Sequence, residues 1–182
     1  MNVISSLLNK FRVSYLVKKG LKIGHNVYIE STVSIDVGYC WLISIGDNCV
    51  LTNGVTVLAH DGSLYPFVQR EKIGKVVIGK NSFIGANSVI LPNVSIGENV
   101  IIGAGSVVAH DIPSNSVAVG VPAKVIKLTE AYLKENTAKL PLCTDCFLED
   151  LSNEDKQAIS LSLTRGKNSY MRRHRYKGTF NM

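Results

Sequence analysis

Histidine is the side chain whose ordinary pKa lies nearest neutrality, so it can take up and return a proton at physiological pH. Three histidines fall in the middle of this 182-residue chain: His25, His60 and His110. His60 closes the run Val-Thr-Val-Leu-Ala-His and opens the segment HDGSLYPFVQREKIGKVV, whose Gly62 and Pro66 mark a loop. An imidazole at the edge of a cleft and beside a loop is a candidate general base. Asp61 is adjacent in sequence and does not reach that imidazole in line. Metal chemistry fits less well. A zinc site needs three or four ligands, two of them close together, and these histidines are far apart. Cys143 and Cys146 form one C-x-x-C, which is half a zinc site with no second pair or nearby His pair to complete it. They read as free thiols in a C-terminal helical segment.

The elements that must position His60 are written in a six-residue beat. Ile23, Ile29, Ile35, then Ile45, Leu51, Val57, then Ile78, Ile84, Ile90, Ile96, Ile102 and Val108 recur at intervals of six within each block. Neither the helical period of 3.6 nor the strand period of two fits that spacing. A hexad supplies one short strand and one corner, and the small residue after many of the aliphatics (Gly24, Gly46, Gly79, Gly85, Gly97, Gly103) lets the chain turn. A second inward position follows four residues on: Val27, Val33, Cys49, Val55, Val94, Val100 and Ile112, with Ser82, Ser88 and Ser106 as small substitutes. Units this short stack on one another and bury a continuous aliphatic column. An ordinary antiparallel sandwich does not keep such spacing.

Two stretches break the beat. Four extra residues, with Tyr39 to Leu42 among them, separate Ile35 from Ile45, and residues 60–77 form an extruded loop. The predicted organisation is a helical segment over 1–20, a repeat domain over 21–127 carrying that loop, and a helical extension with a basic tail over 128–182. After the last hexads, Ser116 to Leu128 reads as a closing extended segment. Thr129 opens a helix with Glu130 in its first turn, and a second helix runs from Asn153 to Leu163, capped by Asn153.

Charge is concentrated at the ends. Residues 1–22 carry +5 and residues 165–182 carry +6, with no acid in either, against −5 between them. Basic ends suit either plain solvation or an anionic membrane face. Val3, Ile4, Leu7, Leu8, Phe11 and Tyr15 make the first segment amphipathic, and packing of that apolar face on the repeat domain is the favoured reading. No aromatic-basic module points to nucleic acid. No apolar run is long enough for a bilayer span, and no cleavage site follows the first segment. With inward-facing Cys49, these features point to the cytoplasm, with the inner face of the membrane as a further expectation.

The run IGKNSFIGANSVILPNVSIGENVIIGAGSVVAHDIPSNSVAVGVPAKVIK resembles the C-terminal half of the hexapeptide-repeat acyltransferases. These include galactoside and maltose acetyltransferases, serine acetyltransferases, streptogramin acetyltransferases and O-acetyltransferases of bacterial surface polysaccharides. The likeness covers about residues 21 to 128. It implies an all-β fold, a left-handed parallel β-helix of triangular section with three hexads per coil, with coils beginning at Ile23, Ile45, Ile78 and Ile96 and a partial last coil. It also implies a homotrimer with active sites in the clefts between subunits.

The resemblance assigns roles. VTVLAHD stands where the family carries its catalytic histidine, so His60 is expected to deprotonate an acceptor hydroxyl, which attacks the thioester of acetyl-CoA directly. Asp36, in the hexad stacked beneath Val57, orients the imidazole, binds a sugar hydroxyl, or serves as a corner aspartate bonding its own backbone. The Ala86 N–H, placed beside the loop, is the expected oxyanion donor. Gly85, Ala86, Gly103 and Ala104 would let the pantetheine arm approach the backbone, though corner geometry alone also accounts for them. Phe83 stands where some relatives have tryptophan against the cofactor. Ala109 and His110 stand where many have threonine and lysine near its far end. Lys124 and Lys127 match basic positions that reach its phosphate end.

The function expected is O-acetylation of a saccharide in surface polysaccharide biosynthesis, because the short N-terminal segment resembles that branch more than the serine acetyltransferases, which carry a long helical N-terminal domain. Tyr39, Trp41, Tyr65 and Phe67 offer faces for a sugar ring. The alternative is N-acetylation of an amino-sugar or an antibiotic. A zinc hydratase on the same fold lacks its closely spaced histidines, and a non-catalytic scaffold is the remaining class.

Overall fold

The computed structural model describes residues 3–137 and 152–162. Cys143, Cys146 and the basic stretch 165–182 lie outside them. After helix α1 (Val3–Lys18), the chain winds through stacked coils, each contributing one short strand to each of three sheets. The first coil holds β1 (Lys22–Ile23), β2 (Tyr28–Ile29) and β3 (Ser34–Ile35), and the second β4 (Ile43–Ile45), β5 (Val50–Leu51) and β6 (Thr56–Val57). A hairpin of β7 (His60–Asp61) and β8 (Lys72–Ile73) then leaves the helix, carrying the short helix α2 (Tyr65–Val68) at its tip. Winding resumes with β9 (Val76–Ile78), β10 (Phe83–Ile84), β11 (Val89–Ile90), then β12 (Val94–Ile96), β13 (Ile101–Ile102) and β14 (Val107–Val108). The first face is β1-β4-β9-β12, and the third is β3-β6-β11-β14. The second, β2-β5-β10-β13, is extended by β15 (Ser116–Val119) and the antiparallel β16 (Lys124–Leu128). All other pairings on these faces are parallel and in register, as Ile35↔Val57 and Val57↔Ile90↔Val108 illustrate.

The hexad aliphatics fill the prism. Eleven of the twelve are buried. Ile23, in the first coil, is partly buried against the core. The second inward column is buried throughout, and its serines satisfy their hydroxyls on corner carbonyls: Ser82 on Gly97 at 3.1 Å and Ser88 on Gly103 at 3.0 Å. The coil starts at Ile23, Ile45, Ile78 and Ile96 are those read from the sequence, and the partial last coil adds a bridge from Ile96 to Ile112. The beat resumes slightly earlier than predicted, since Val76 already lies buried in β9.

One corner is held by a feature the aliphatic pattern did not reveal. Asn26, Asn48, Asn81, Asn99 and Asn115 stack in a column, each bonded amide to amide at 2.8–3.0 Å. All five adopt left-handed backbone, with φ between 53° and 60°. Asparagine tolerates that conformation better than other side chains with a Cβ. The signal lay in the hexads themselves, where asparagine follows the aliphatic at a constant offset in IGHN, IGDN, IGKN, IGEN and IPSN.

Helix α1 packs on the repeats, but by the opposite side from the one predicted. Val13 and Leu16 are buried, whereas Leu7, Leu8, Phe11 and Tyr15 are exposed. Asn9, Arg12, Val13 and Leu16 share one face at helical spacing. The physical reason is the open first coil, whose carbonyls have no rung below. Asn9 Nδ2 donates to the Ile29 carbonyl at 2.7 Å, and Arg12 donates to the carbonyls of Val33 and Glu30. Satisfying the Ile29 and Val33 carbonyls matters more than burying Phe11. Burial lowers the Arg12 pKa from its ordinary value.

Thr129 ends this compact unit and Glu130 opens a second. Helix α3 (Thr129–Thr137) starts where the sequence places it, with Glu130 in its first turn. Helix α4 (Asn153–Ser162) matches the predicted span, but its first i→i+4 bond runs from Lys156 N to the Ser152 carbonyl, so Ser152 rather than Asn153 occupies the cap position. No helix among the described residues is long and apolar enough to cross a membrane.

Candidate active site

His60 lies where the third face turns toward the first, and β6 delivers it there. Asp36 follows β3 one coil below at the same corner, its N–H bonded to the Val57 carbonyl at 3.0 Å. The Asp36 carboxylate accepts three donors: Oδ2 takes His60 Nδ1 and the Ala59 N–H at 3.1 Å, and Oδ1 takes the Tyr39 N–H at 3.3 Å. Asp36 thus bonds both the imidazole and the backbone of its own corner. Asp36 is buried, whereas the His60 side chain keeps 36% of its exposure, so the pair points its free end outward.

The electrostatics follow. The hydrogen bond to Asp36 raises the His60 pKa above its usual value, outweighing a modest desolvation. Desolvation pushes the Asp36 carboxyl upward, but the bonds from His60, Ala59 and Tyr39 together bring it below the ordinary carboxylate value. With Nδ1 engaged by the carboxylate, Nε2 is left without a partner among the described residues. Nδ1 as donor leaves the Nε2 lone pair available as a base. Asp61 takes no part in this pair. It accepts the Ser63 N–H at 2.9 Å and meets Lys72 at 3.5 Å, as its place in the sequence foretold.

An open cleft of ≈ 450 Å³ lies at this corner, lined by Leu58, His60, Asp61, Gly62, Leu91 and Pro92. Leu58, Leu91 and Ala109 follow the paired residues Val57, Ile90 and Val108, so Ala109 shares the corner, higher up the stack. The tilted ring of Tyr39 covers the imidazole at 4.9 Å between centroids. Trp41, Tyr65 and Phe67 are exposed.

The remaining predicted residues lie elsewhere. Gly85, Ala86, Gly103 and Ala104 occupy the corner between the second and third faces, after β10 and β13. Phe83, Lys124 and Lys127 belong to the second face. The Ala86 N–H therefore does not lie beside the His60 loop within one chain. That amide donates to no group among the described residues. It sits in a turn closed by Ser88 N to the Gly85 carbonyl at 3.3 Å, with Asn87 at φ 57°. Stacking alone accounts for Gly85, because a Cβ there would come within 2.5 Å of the Ala104 nitrogen in the coil above. His25 lies between the first and second faces and His110 near Ala109. Among the described residues, no group of three or more His, Cys, Asp or Glu is disposed to hold a metal ion.

Comparison with known proteins agrees with this architecture. Residues 75–110 match the model of the bacterial transferase hexapeptide (six repeats), and residues 42–59 match the hexapeptide repeat of succinyl-transferase. The chain is 43% identical over 120 residues to protein CapG of Staphylococcus aureus, an alignment covering 63% of this chain and 70% of CapG. The chain belongs to the hexapeptide-repeat acetyltransferase family. The solved galactoside acetyltransferase in complex with coenzyme A superposes with a TM-score of 0.56 at 30% identity, covering 68% of this chain and 72% of that one. A hexapeptide-repeat acetyltransferase of Vibrio cholerae complexed with acetyl coenzyme A gives 0.55 at 26% identity, over 60% of this chain and 61% of that one. The hexapeptide-repeat fold is thus the left-handed parallel β-helix that the sequence predicts, with its N-terminal helix and C-terminal helices added.

Proposed function

We propose that this chain transfers the acetyl group of acetyl-CoA to a hydroxyl of a saccharide acceptor, with His60 as general base, in surface polysaccharide biosynthesis. The observation that carries the reading is the Asp36–His60 pair, which turns an available Nε2 toward a cleft. Nε2 takes the hydroxyl proton as the oxygen attacks the thioester carbonyl. The resulting imidazolium is stabilised by the Asp36 carboxylate, and it returns the proton to the departing thiolate as the carbon–sulfur bond breaks. No covalent acyl-enzyme is needed. The coenzyme A and galactoside named for the solved relatives support the donor and the acceptor class.

The oxyanion would be met by the Ala86 N–H. Because that amide and His60 occupy different corners of one prism, a second copy must supply one of them. The family resemblance makes the active form a homotrimer, with each site shared between neighbours: His60, Asp36 and Ala109 from one copy, and Phe83, Gly85, Ala86, Gly103, Ala104, Lys124 and Lys127 from the next. On this arrangement the lysines lie along the second face and meet the phosphates of the donor.

The protein acts in the cytoplasm, at the inner face of the membrane. Support for the membrane contact is the outward side of α1, where exposed Leu7, Leu8, Phe11 and Tyr15 lie beside Lys10, Lys18 and Lys19 with no acid in the first 22 residues. Apolar insertion together with cationic attraction is how such helices bind anionic lipid.

A thiol-release assay with acetyl-CoA against sugars, nucleotide sugars and amines tests the function. Hydroxylated saccharides should release coenzyme A fastest. Release confined to amines would replace this reading with N-acetylation.

A further inference from the structure

The two interruptions of the hexad beat meet at one residue. Tyr39 sits in the four-residue insertion between β3 and β4, and Glu71 sits in the extruded hairpin, yet the Tyr39 hydroxyl donates to Glu71 Oε2 at 2.7 Å. The same tyrosine lies against the His60 ring and gives its N–H to Asp36. Tyr39 thus touches the base, the base's orienter and the loop.

Glu71 is also placed by the hairpin register. His60 pairs with Ile73 and Asp61 with Lys72, so Glu71 comes opposite Gly62. Its other oxygen, Oε1, lies 3.9 Å from where a Cβ on Gly62 would stand. Gly62 lines the cleft beside His60. Bonding to this carboxylate raises the Tyr39 pKa, which keeps the phenol protonated and donating. The neighbouring Asp61 and Lys72 pair with each other and leave Glu71 to Tyr39.

We propose that Tyr39 and Glu71 form a latch that fixes the extruded hairpin over His60, and that Glu71 Oε1 accepts a hydrogen bond from a second hydroxyl of the acceptor. Tyr39 is a positioning residue and Glu71 an acceptor-specificity residue. A carboxylate at that rim selects neutral, polyhydroxylated acceptors and repels anionic ones. The acceptor half of this inference rests on the hydroxyl-transfer reading above, whereas the latch half does not.

Tyr39→Phe keeps the ring on His60 and removes only the hydroxyl, and Glu71→Gln alters an exposed side chain, so both variants should fold. Two measurements on these variants and the double variant test the proposal. In amide hydrogen exchange of the full chain, residues 69–73 should exchange at least about fivefold faster in each single variant, with no further gain in the double and no change in the β10–β13 rungs. Unchanged exchange in Tyr39→Phe, or additive effects in the double, would overturn the latch. In steady-state assays, the neutral glycoside with the fastest wild-type turnover should show an acceptor KM about tenfold higher in Glu71→Gln. The KM for acetyl-CoA should be unaltered. An unaltered acceptor KM would overturn the specificity role. Were wild type to acetylate no hydroxylated acceptor, the functional reading would fail with the specificity role, while hydrogen exchange would still decide the latch.

Discussion

Asp36 and His60 stand 24 residues apart in sequence and share a hydrogen bond, because one coil of the prism returns the chain to the same corner. The four residues inserted between β3 and β4 lengthen that coil without disturbing the pairing of Ile35 with Val57. What the extra length adds is Tyr39, set against the imidazole.

Replacing Asp36 by Asn removes the carboxylate that raises the His60 pKa. The acid limb of kcat/KM, expected above ~6.5 in wild type, should move to lower pH, and kcat should fall by roughly 10²-fold. Stability carries a matching signature. The raised imidazole adds stability that is fully present below its unfolded value near ~6.5 and is lost as pH rises through its folded value. The depressed carboxyl adds stability present above its unfolded value near ~3.9 and lost as pH falls through its folded value. The urea-midpoint difference between wild type and Asp36→Asn should therefore be largest between those limits. A flat difference across pH 3–9 would contradict the pairing.

A site shared between copies, as proposed, predicts complementation. Ala86 is the second residue of a turn whose third residue, Asn87, has φ 57°, a position that accepts proline. Ala86→Pro should therefore fold while losing the oxyanion donor, and His60→Ala should fold while losing the base. Each alone should turn over at least about 10²-fold more slowly than wild type. Refolding the two together should restore a fraction of wild-type turnover, since some clefts then combine an intact His60 with an intact Ala86. Mixtures as inactive as the single variants would argue for a site within one chain.

Gly79→Ala tests the stacking directly. A Cβ there would stand 2.5 Å from both the carbonyl carbon and oxygen of Gly97 in the next coil. The atoms met are backbone and leave little room to give, so we expect a loss of about 1–3 kcal/mol in urea denaturation. An unchanged midpoint would mean that the coils are spaced more loosely.

Asn81 sits mid-column in the asparagine ladder, bonded at 3.0 Å to Asn48 and at 3.0 Å to Asn99. Asn81→Ala should lose those bonds and place a Cβ-bearing residue with no polar anchor at φ 58°, at a cost on the order of 1–2 kcal/mol for the backbone alone. Asn81→Gly removes the ladder bonds while relieving the backbone, so it should be the more stable of the two. Equal stabilities would show that the left-handed turn is not strained there.

How far the sequence reaches depends on the kind of signal. The aliphatic hexads, counted in threes as the family resemblance implies, predict the coil starts, because every coil buries the same positions. His60 was legible as the residue where that period stops, but its partner was open among three roles, since only the stacking of one coil on another brings Asp36 to Nδ1. Within one chain Ala86 and His60 stand at different corners, for a related reason. A hexad count gives the face a residue occupies, and the step from β10 to β11 is a different corner from the step after β6. The side of α1 that packs was misread because hydrophobicity was followed alone. Arg12 and Asn9 are polar, and they face inward because the first coil leaves the Ile29 and Val33 carbonyls to be satisfied. Tyr39 and Glu71 carry no spacing rule that joins them, so only the hairpin register reveals their bond.

The most direct measurement is the initial rate of coenzyme A release by His60→Ala, with wild type as reference, at saturating acetyl-CoA and a hydroxylated saccharide. The account predicts a fall of roughly 10²–10⁴-fold with the sedimentation mass of a trimer retained. Acetyl transfer by that variant at the wild-type rate would contradict it.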